Sequence, residues 1–183
     1  ACHAFGAEYK KGGKNYKIGS CKHSDISTFS FHALKTITTG EGGLVTTNKN
    51  VVYSKIKKLR SLGIKRKKNH WDYDVENTGL NFRLTDFQCA FGRSQLNKIR
   101  KFLTYRKNIY LRYKNSFKNE KDIYIFEQKT KYKSSNHLFI IYFKNFNKIL
   151  KNKFIKYMLS KKIIVQFHYI PIYKFKLFSS NNV

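Results

Sequence analysis

Between Asp25 and Phe31 the side chains alternate, with Ile26, Thr28 and Ser30 on one face and Phe29 and Phe31 on the other. That two-residue period predicts a short, buried strand. A Thr- and Gly-rich turn covers Lys35–Gly43, and Gly43–Thr47 resumes as a second strand. Val52, Ile56, Leu59 and Leu62 then recur at helical spacing over 50–62, with Gly63 at C′ as the stop. A basic and aromatic loop follows over 64–80. The next helix opens at Thr85, where Thr85 and Gln88 have the spacing of a capping box. It carries Phe87, Ala90, Phe91 and Leu96, and continues in a second amphipathic stretch to about residue 117. Strands at 122–127 and 137–143, a helix near 146–160 and a strand at 162–168 complete the pattern. Strands alternating with helices predict α/β or α+β packing. The strand–strand–helix–strand order of the last third predicts a small domain over 118–183, after a larger unit over 1–117.

Composition adds a core and a large charge. Hydrophobic residues make up 41% and aromatic residues 16%, which suffices for a folded chain. The formal net charge of +28 points first to nucleic acid or an anionic membrane. However, only seven of the 38 basic residues are arginine, the better residue for bidentate recognition of phosphate and base edges. The remainder are lysine, in a chain also rich in Asn, Ile, Tyr and Phe, a mixture that A- and T-rich codons encode. Lysine is spread through every segment. A basic nucleic-acid-binding module is the rival from a different class, and it requires the charge on one face.

Cys2, Cys21 and Cys89 show no CxxC spacing, so neither a disulfide framework nor a metal site is expected. No apolar run approaches the roughly 20 residues that span a bilayer, and no secretory signal pattern is visible. A cytoplasmic protein with no membrane partner is expected.

The informative segment is SerThrPheSerPheHisAlaLeuLysThrIleThrThrGlyGluGlyGly over 27–43. A lysine on a tight turn just after a buried strand can form a Schiff base, provided its amine, with an ordinary pKa of about 10.4, is deprotonated by desolvation or neighbouring positive charge. Composition alone favours a surface lysine beside a glycine turn. The segment resembles the cofactor-lysine signature of the DegT/DnrJ/EryC1/StrS sugar aminotransferases, which use pyridoxal 5′-phosphate (PLP). AlaCysHisAlaPheGlyAla at 1–7, GlyLeuAsnPheArgLeuThrAspPheGlnCysAlaPheGly at 79–92, SerAsnHisLeuPhe at 135–139 and ValGlnPheHisTyrIleProIleTyr at 165–173 resemble further motifs of that family in order and spacing.

The resemblance implies the aspartate-aminotransferase fold (PLP fold type I), with part of the large domain and most of the small one. Lys35 would be catalytic and hold PLP covalently, Ser30 would bond its phosphate, and His3 would lie against its ring. Asn81 would reach the phosphate of a neighbouring subunit, which implies a homodimer with shared sites. His168 and Tyr169 would approach the substrate, although packing at a strand end suits them equally. ThrIleThrThrGlyGluGlyGly with HisTyrIleProIleTyr looks most like the members that move an amino group from glutamate to C4 of a UDP-linked 4-keto-6-deoxy-N-acetylhexosamine, in pseudaminic-acid biosynthesis. Aminotransferases making other 4-amino sugars are the alternative. The family's pyridinium-pairing aspartate would stand immediately before Ala1, and its phosphate loop further upstream. The chain is therefore expected to be roughly the second half of a longer protein, and inactive alone.

Overall fold

A computed structural model describes residues 1–69, 71–127 and 129–178. The chain runs β1 (Glu8–Lys11), β2 (Lys14–Lys17), β3 (Ser27–Ser30), β4 (Gly43–Thr46), α1 (Asn50–Arg60), β5 (Ile64–Arg66) and β6 (Tyr73–Val75). It continues with α2 (Asp86–Asn97), α3 (Ile99–Ser116), β7 (Ile123–Ile125), β8 (Tyr132–Lys133), β9 (Ile141–Phe143) and α4 (Lys148–Ser160). Short 3-10 turns at Ile172–Lys174 and Lys176–Phe178 follow. By its internal packing the chain divides into two compact units, Ala1–Tyr142 and Phe143–Val183. The 117/118 boundary expected from the sequence falls inside the first, just after α3.

In the first unit, β3 and β4 form an antiparallel hairpin in the register Ser27↔Thr46 to Ser30↔Gly43. Phe29 of β3 is buried there with Ala7 and Ile37. β1 and β2 form a second hairpin about Gly12 and Gly13, whose φ values of 56° and 76° suit a two-residue turn. β8 adds to the free edge of β1. α1 ends two residues earlier than its apolar spacing predicts, because Leu62 takes the left-handed conformation (φ 65°) and the Gly63 N–H turns back to the Lys58 carbonyl at 2.9 Å. Leu62 is thus the C′ residue and Gly63 follows it, a correction to the expected stop.

The expected loop over 64–80 contains a hairpin, β5 with β6, in which Lys65 faces Asp74. Its His70 lies outside the described residues. Glu76 ties this hairpin to α1 by ion pairs with Lys58 and with Lys65, the latter at 2.6 Å. Those hydrogen bonds, Lys58 first, hold the Glu76 carboxyl below its ordinary pKa and push the Lys65 ammonium above its own.

α2 opens as the sequence predicts. The Gln88 N–H donates to Thr85 Oγ1 at 3.3 Å and the Thr85 N–H donates to Gln88 Oε1 at 3.0 Å. α3 turns Phe102, Leu103, Arg106, Tyr110 and Phe117 inward at helical spacing, with Tyr110 and Tyr113 against the Phe139 ring. In the second unit, Asn147 caps α4 through Leu150 N–H at 2.9 Å, and Phe143, Phe146 and Phe154 pack ring to ring. Two expectations fail. The strand over 137–143 shortens to Ile141–Phe143, and 162–168 forms no strand among the described residues. Ile141–Phe143 pairs with β7, itself only Ile123–Ile125 of the strand expected over 122–127, and so the ladder is short. Residues 162–168 pair with no strand among the described residues, and a strand exists only when paired.

The exposed surface is 15385 Å², against about 9,200 Å² for a self-contained folded chain of this mass. No described residue of the four α-helices is fully buried. Their outer faces retain Val51, Phe87, Phe91 and Tyr105 in solvent.

A Cβ added at Gly63 would meet the Asn77 carbonyl oxygen at 1.6 Å, in backbone of φ +71°. Gly63→Ala should therefore cost about 2 kcal/mol or more in urea unfolding of the complete protein. The Glu76 clamp has a pH signature. A carboxyl whose folded pKa is depressed stabilises the fold above its unfolded value, near pH 4.5, and loses that contribution as pH falls through the lower folded value. Amide exchange in β5 and β6, corrected for intrinsic rates, should rise below about pH 4, and Glu76→Gln should flatten the dependence.

Candidate active site

Lys35 lies in the connection from β3 to β4, and the hydrogen bonds of that connection hold it in one shape. At the neck, the Phe31 N–H donates to the Gly42 carbonyl at 2.8 Å and the Thr39 N–H donates back to the Phe31 carbonyl at 2.9 Å. Thr38 Oγ1 donates to that same Phe31 carbonyl at 3.0 Å, and Thr39 Oγ1 donates to the Glu41 carbonyl at 2.7 Å. Thr36, Ile37 and Thr39 are buried, so the backbone just after Lys35 is anchored in the unit. Lys35 itself is half-buried, with its N–H on the His32 carbonyl at 2.9 Å. Threonine hydroxyls bonding nearby backbone groups do here what a longer ladder does elsewhere.

Ser30 ends β3, half-buried, and its Oγ accepts the His32 N–H at 3.3 Å. A hydroxyl that accepts one bond can still donate its proton to an anionic oxygen. The N-terminal segment leans on the same strand through Phe5, whose ring meets Phe29 and Phe31 edge-on at 5.3 and 5.7 Å. That packing brings His3 into the neighbourhood of β3. The His3 carbonyl accepts Ser135 Oγ at 2.7 Å, and its ring lies 4.5 Å from the His137 ring. Arg106 of α3 donates to the His137 carbonyl at 3.2 Å. Ser135, only 1% exposed, is the most buried of these side chains. Its contact with His3 joins residues far apart in the chain, so no local pattern announces it.

Asn81 is exposed on the segment that leads into α2, where its Oδ1 accepts the Arg83 N–H at 3.4 Å and its backbone bridges to Ser61. His168 and Tyr169 belong to the second unit. They are exposed, with ring centroids 4.3 Å apart, and His168 Nε2 lies 2.9 Å from Gln166 Oε1. Lys35 and Ser30 thus share the β3–β4 hairpin, Phe5 packs the N-terminal segment on β3, and Asn81 lies on the segment that leads into α2. Gln88 also touches the lysine loop, its Nε2 donating to the Glu41 carbonyl at 3.0 Å.

Three free cysteines are present, Cys2, Cys21 and Cys89. Among the described residues no group of three or more His, Cys, Asp or Glu could hold a metal ion, and no helix is long and apolar enough to cross a membrane.

The model of the DegT/DnrJ/EryC1/StrS aminotransferase family matches residues 1–182. The UDP-4-amino-4,6-dideoxy-N-acetyl-beta-L-altrosamine transaminase of Campylobacter jejuni subsp. jejuni serotype O:23/36 (strain 81-176) is 42% identical over 179 residues, 97% of this chain and 46% of that protein. Among solved structures, Helicobacter pylori PseC, an aminotransferase involved in the biosynthesis of pseudoaminic acid, matches with a TM-score of 0.88 at 36% identity, over 97% of this chain and 46% of that one. The putative sugar aminotransferase Spr1654 from Streptococcus pneumoniae, in its PLP form, matches at 0.84 and 28% identity, over 97% of this chain and 45% of its own. The chain spans about half the length of the relatives it matches.

Replacing Ser135 with alanine removes the hydroxyl that donates to the His3 carbonyl. Ser135→Ala should cost about 1–3 kcal/mol by urea unfolding, and amide exchange over residues 1–7 should quicken with it.

Proposed function

This chain belongs to the DegT/DnrJ/EryC1/StrS aminotransferase family, and on that premise we propose that it forms part of a PLP-dependent nucleotide-sugar aminotransferase. The substrate in this proposal is a UDP-linked 4-keto-6-deoxy-N-acetylhexosamine, aminated at C4 with glutamate as donor, for the biosynthesis of a surface sugar. What supports it most is the 42% identity to the Campylobacter jejuni transaminase across 97% of this chain.

The residues present fit the cofactor. Lys35 offers a primary amine on an anchored, half-buried loop, and Ser30 offers a hydroxyl proton at the end of the adjoining strand. When bound, PLP supplies an electron sink for negative charge at the reacting carbon. Lys35 Nζ would attach it and, as a base, would carry a proton at the reacting carbon. Ser30 Oγ would hold the phosphate, the His3 segment would orient the ring, and His168 and Tyr169 would contact the sugar nucleotide.

The proposed assembly is a cytoplasmic homodimer in which Asn81 reaches the neighbouring subunit's cofactor phosphate. Exposed Phe82, Phe87 and Phe91 around and beyond Asn81 support it, since apolar surface of that kind is stable only when covered. In the complete protein the fold is that of the aspartate aminotransferases, with the large domain ending near 117 and the small one beginning at 118.

The test uses the complete protein. Borohydride should fix vitamin B6 on the Lys35 peptide, identified by mass spectrometry, and Lys35→Ala should abolish that attachment and lower transamination about a thousandfold or more. Retention of a covalent cofactor in Lys35→Ala would show the assignment of Lys35 to be wrong.

A further inference from the structure

We propose that Gln88 is a positioning residue that fastens the Lys35 loop to the capped end of α2, and that this is why position 88 carries an amide and not a carboxylate. Its relevance to catalysis rests on the function proposed above for Lys35.

The side chain has two unlike ends, and both are used. Oε1 accepts the Thr85 N–H at 3.0 Å and Thr85 Oγ1 at 3.2 Å, while Nε2 donates to the Glu41 carbonyl at 3.0 Å. The cap alone gives no reason for an amide. Glutamate closes a capping box as well as glutamine does, and its charge would also favour the positive end of the helix. At this site, though, a carboxylate would turn an oxygen with no proton toward the Glu41 carbonyl, replacing a hydrogen bond with repulsion between two acceptors.

Gln88 stands in the middle of a docked helix face. Leu84, Gln88 and Gly92 are spaced four residues apart, so they share one side of α2 and its approach. They meet the loop in order. A Cβ at Gly42 would lie 2.8 Å from Leu84 Cδ2, Gln88 bonds Glu41, and a Cβ at Gly92 would lie 2.8 Å from Thr39 Cγ2. Gln88 is the polar bond in that row. The carbonyl it holds is also the one that Thr39 Oγ1 grips from inside the loop at 2.7 Å. Loss of the tie would free the C-terminal half of the loop that carries Lys35. Because Asn81 lies just ahead of the Thr85 cap, the same tie joins the placement of the amine to the segment proposed to reach the neighbouring subunit.

Hydrogen exchange on the complete, cofactor-free protein separates the tie from the cap. In Gln88→Glu the amides over 31–42 should exchange about tenfold faster, while 86–97 behaves as in wild type. Thr85→Ala removes the cap and keeps the tie, so it should quicken the first turn of α2 and leave 31–42 unchanged. Gln88→Met removes both polar ends and should loosen both segments. Unchanged exchange over 31–42 in either Gln88 variant, or equal loosening of that loop by Thr85→Ala, would overturn the proposal. Exchange without cofactor does not depend on Lys35 chemistry. A wild-type protein that never takes vitamin B6 on Lys35 would therefore refute the function and leave the positioning result standing.

Discussion

The amine proposed to react, Lys35 Nζ, depends on the backbone beneath it staying put, and that constraint falls on the connection between β3 and β4. Two antiparallel strands close its neck, and Thr38 and Thr39 bond its own carbonyls. Thr36, Ile37 and Thr39 sink into the unit while Lys35 remains half-buried. Buried hydroxyls of this kind stabilise only when their partners are in place, so the loop has few alternative shapes. Ser30 and the Phe5 contacts inherit their positions from the same strand.

The surrounding helices are arranged to serve that loop before they serve a core. α2 turns a polar and small face, Gln88 and Gly92, toward the threonine turn, and leaves Phe87 and Phe91 outside. An amphipathic helix ordinarily does the reverse. The inversion is consistent with a chain that buries little apolar area by itself and presents far more surface than its mass requires. Apolar stripes on α1, α2 and α3 are the surfaces that further protein would cover.

α3 connects the rest of the first unit. Its inward row runs from Phe102 and Leu103 to Arg106, Tyr110 and Phe117, and it secures the His137 carbonyl and the Phe139 ring. Ser135 then reaches the His3 carbonyl from the neighbouring turn. Two motifs at opposite ends of the unit thereby become one buried contact, supported by a helix whose sequence suggests only amphipathicity. Among the described residues, ion pairs to Glu8, Asp25, Glu76 and Glu127 are spread over separate elements.

Features set by neighbours in sequence were legible without a structure. Thr85 and Gln88 sit at capping-box spacing and form that box. The alternation before Lys35 forms β3, and the 3.6-residue recurrence after Asn50 forms α1. The Gly12–Gly13 signal for the β1–β2 hairpin is equally local, whereas the β5–β6 pairing lies inside a basic loop with no turn dipeptide to mark it. Tertiary structure alone decided which face of α2 looks inward, where Ser135 finds its acceptor, and that 162–168 has no strand partner among the described residues. The reason is physical. Caps, turns and periodicity are energies of residues a few positions apart, whereas facing and pairing depend on which distant surface competes best for the same side chains.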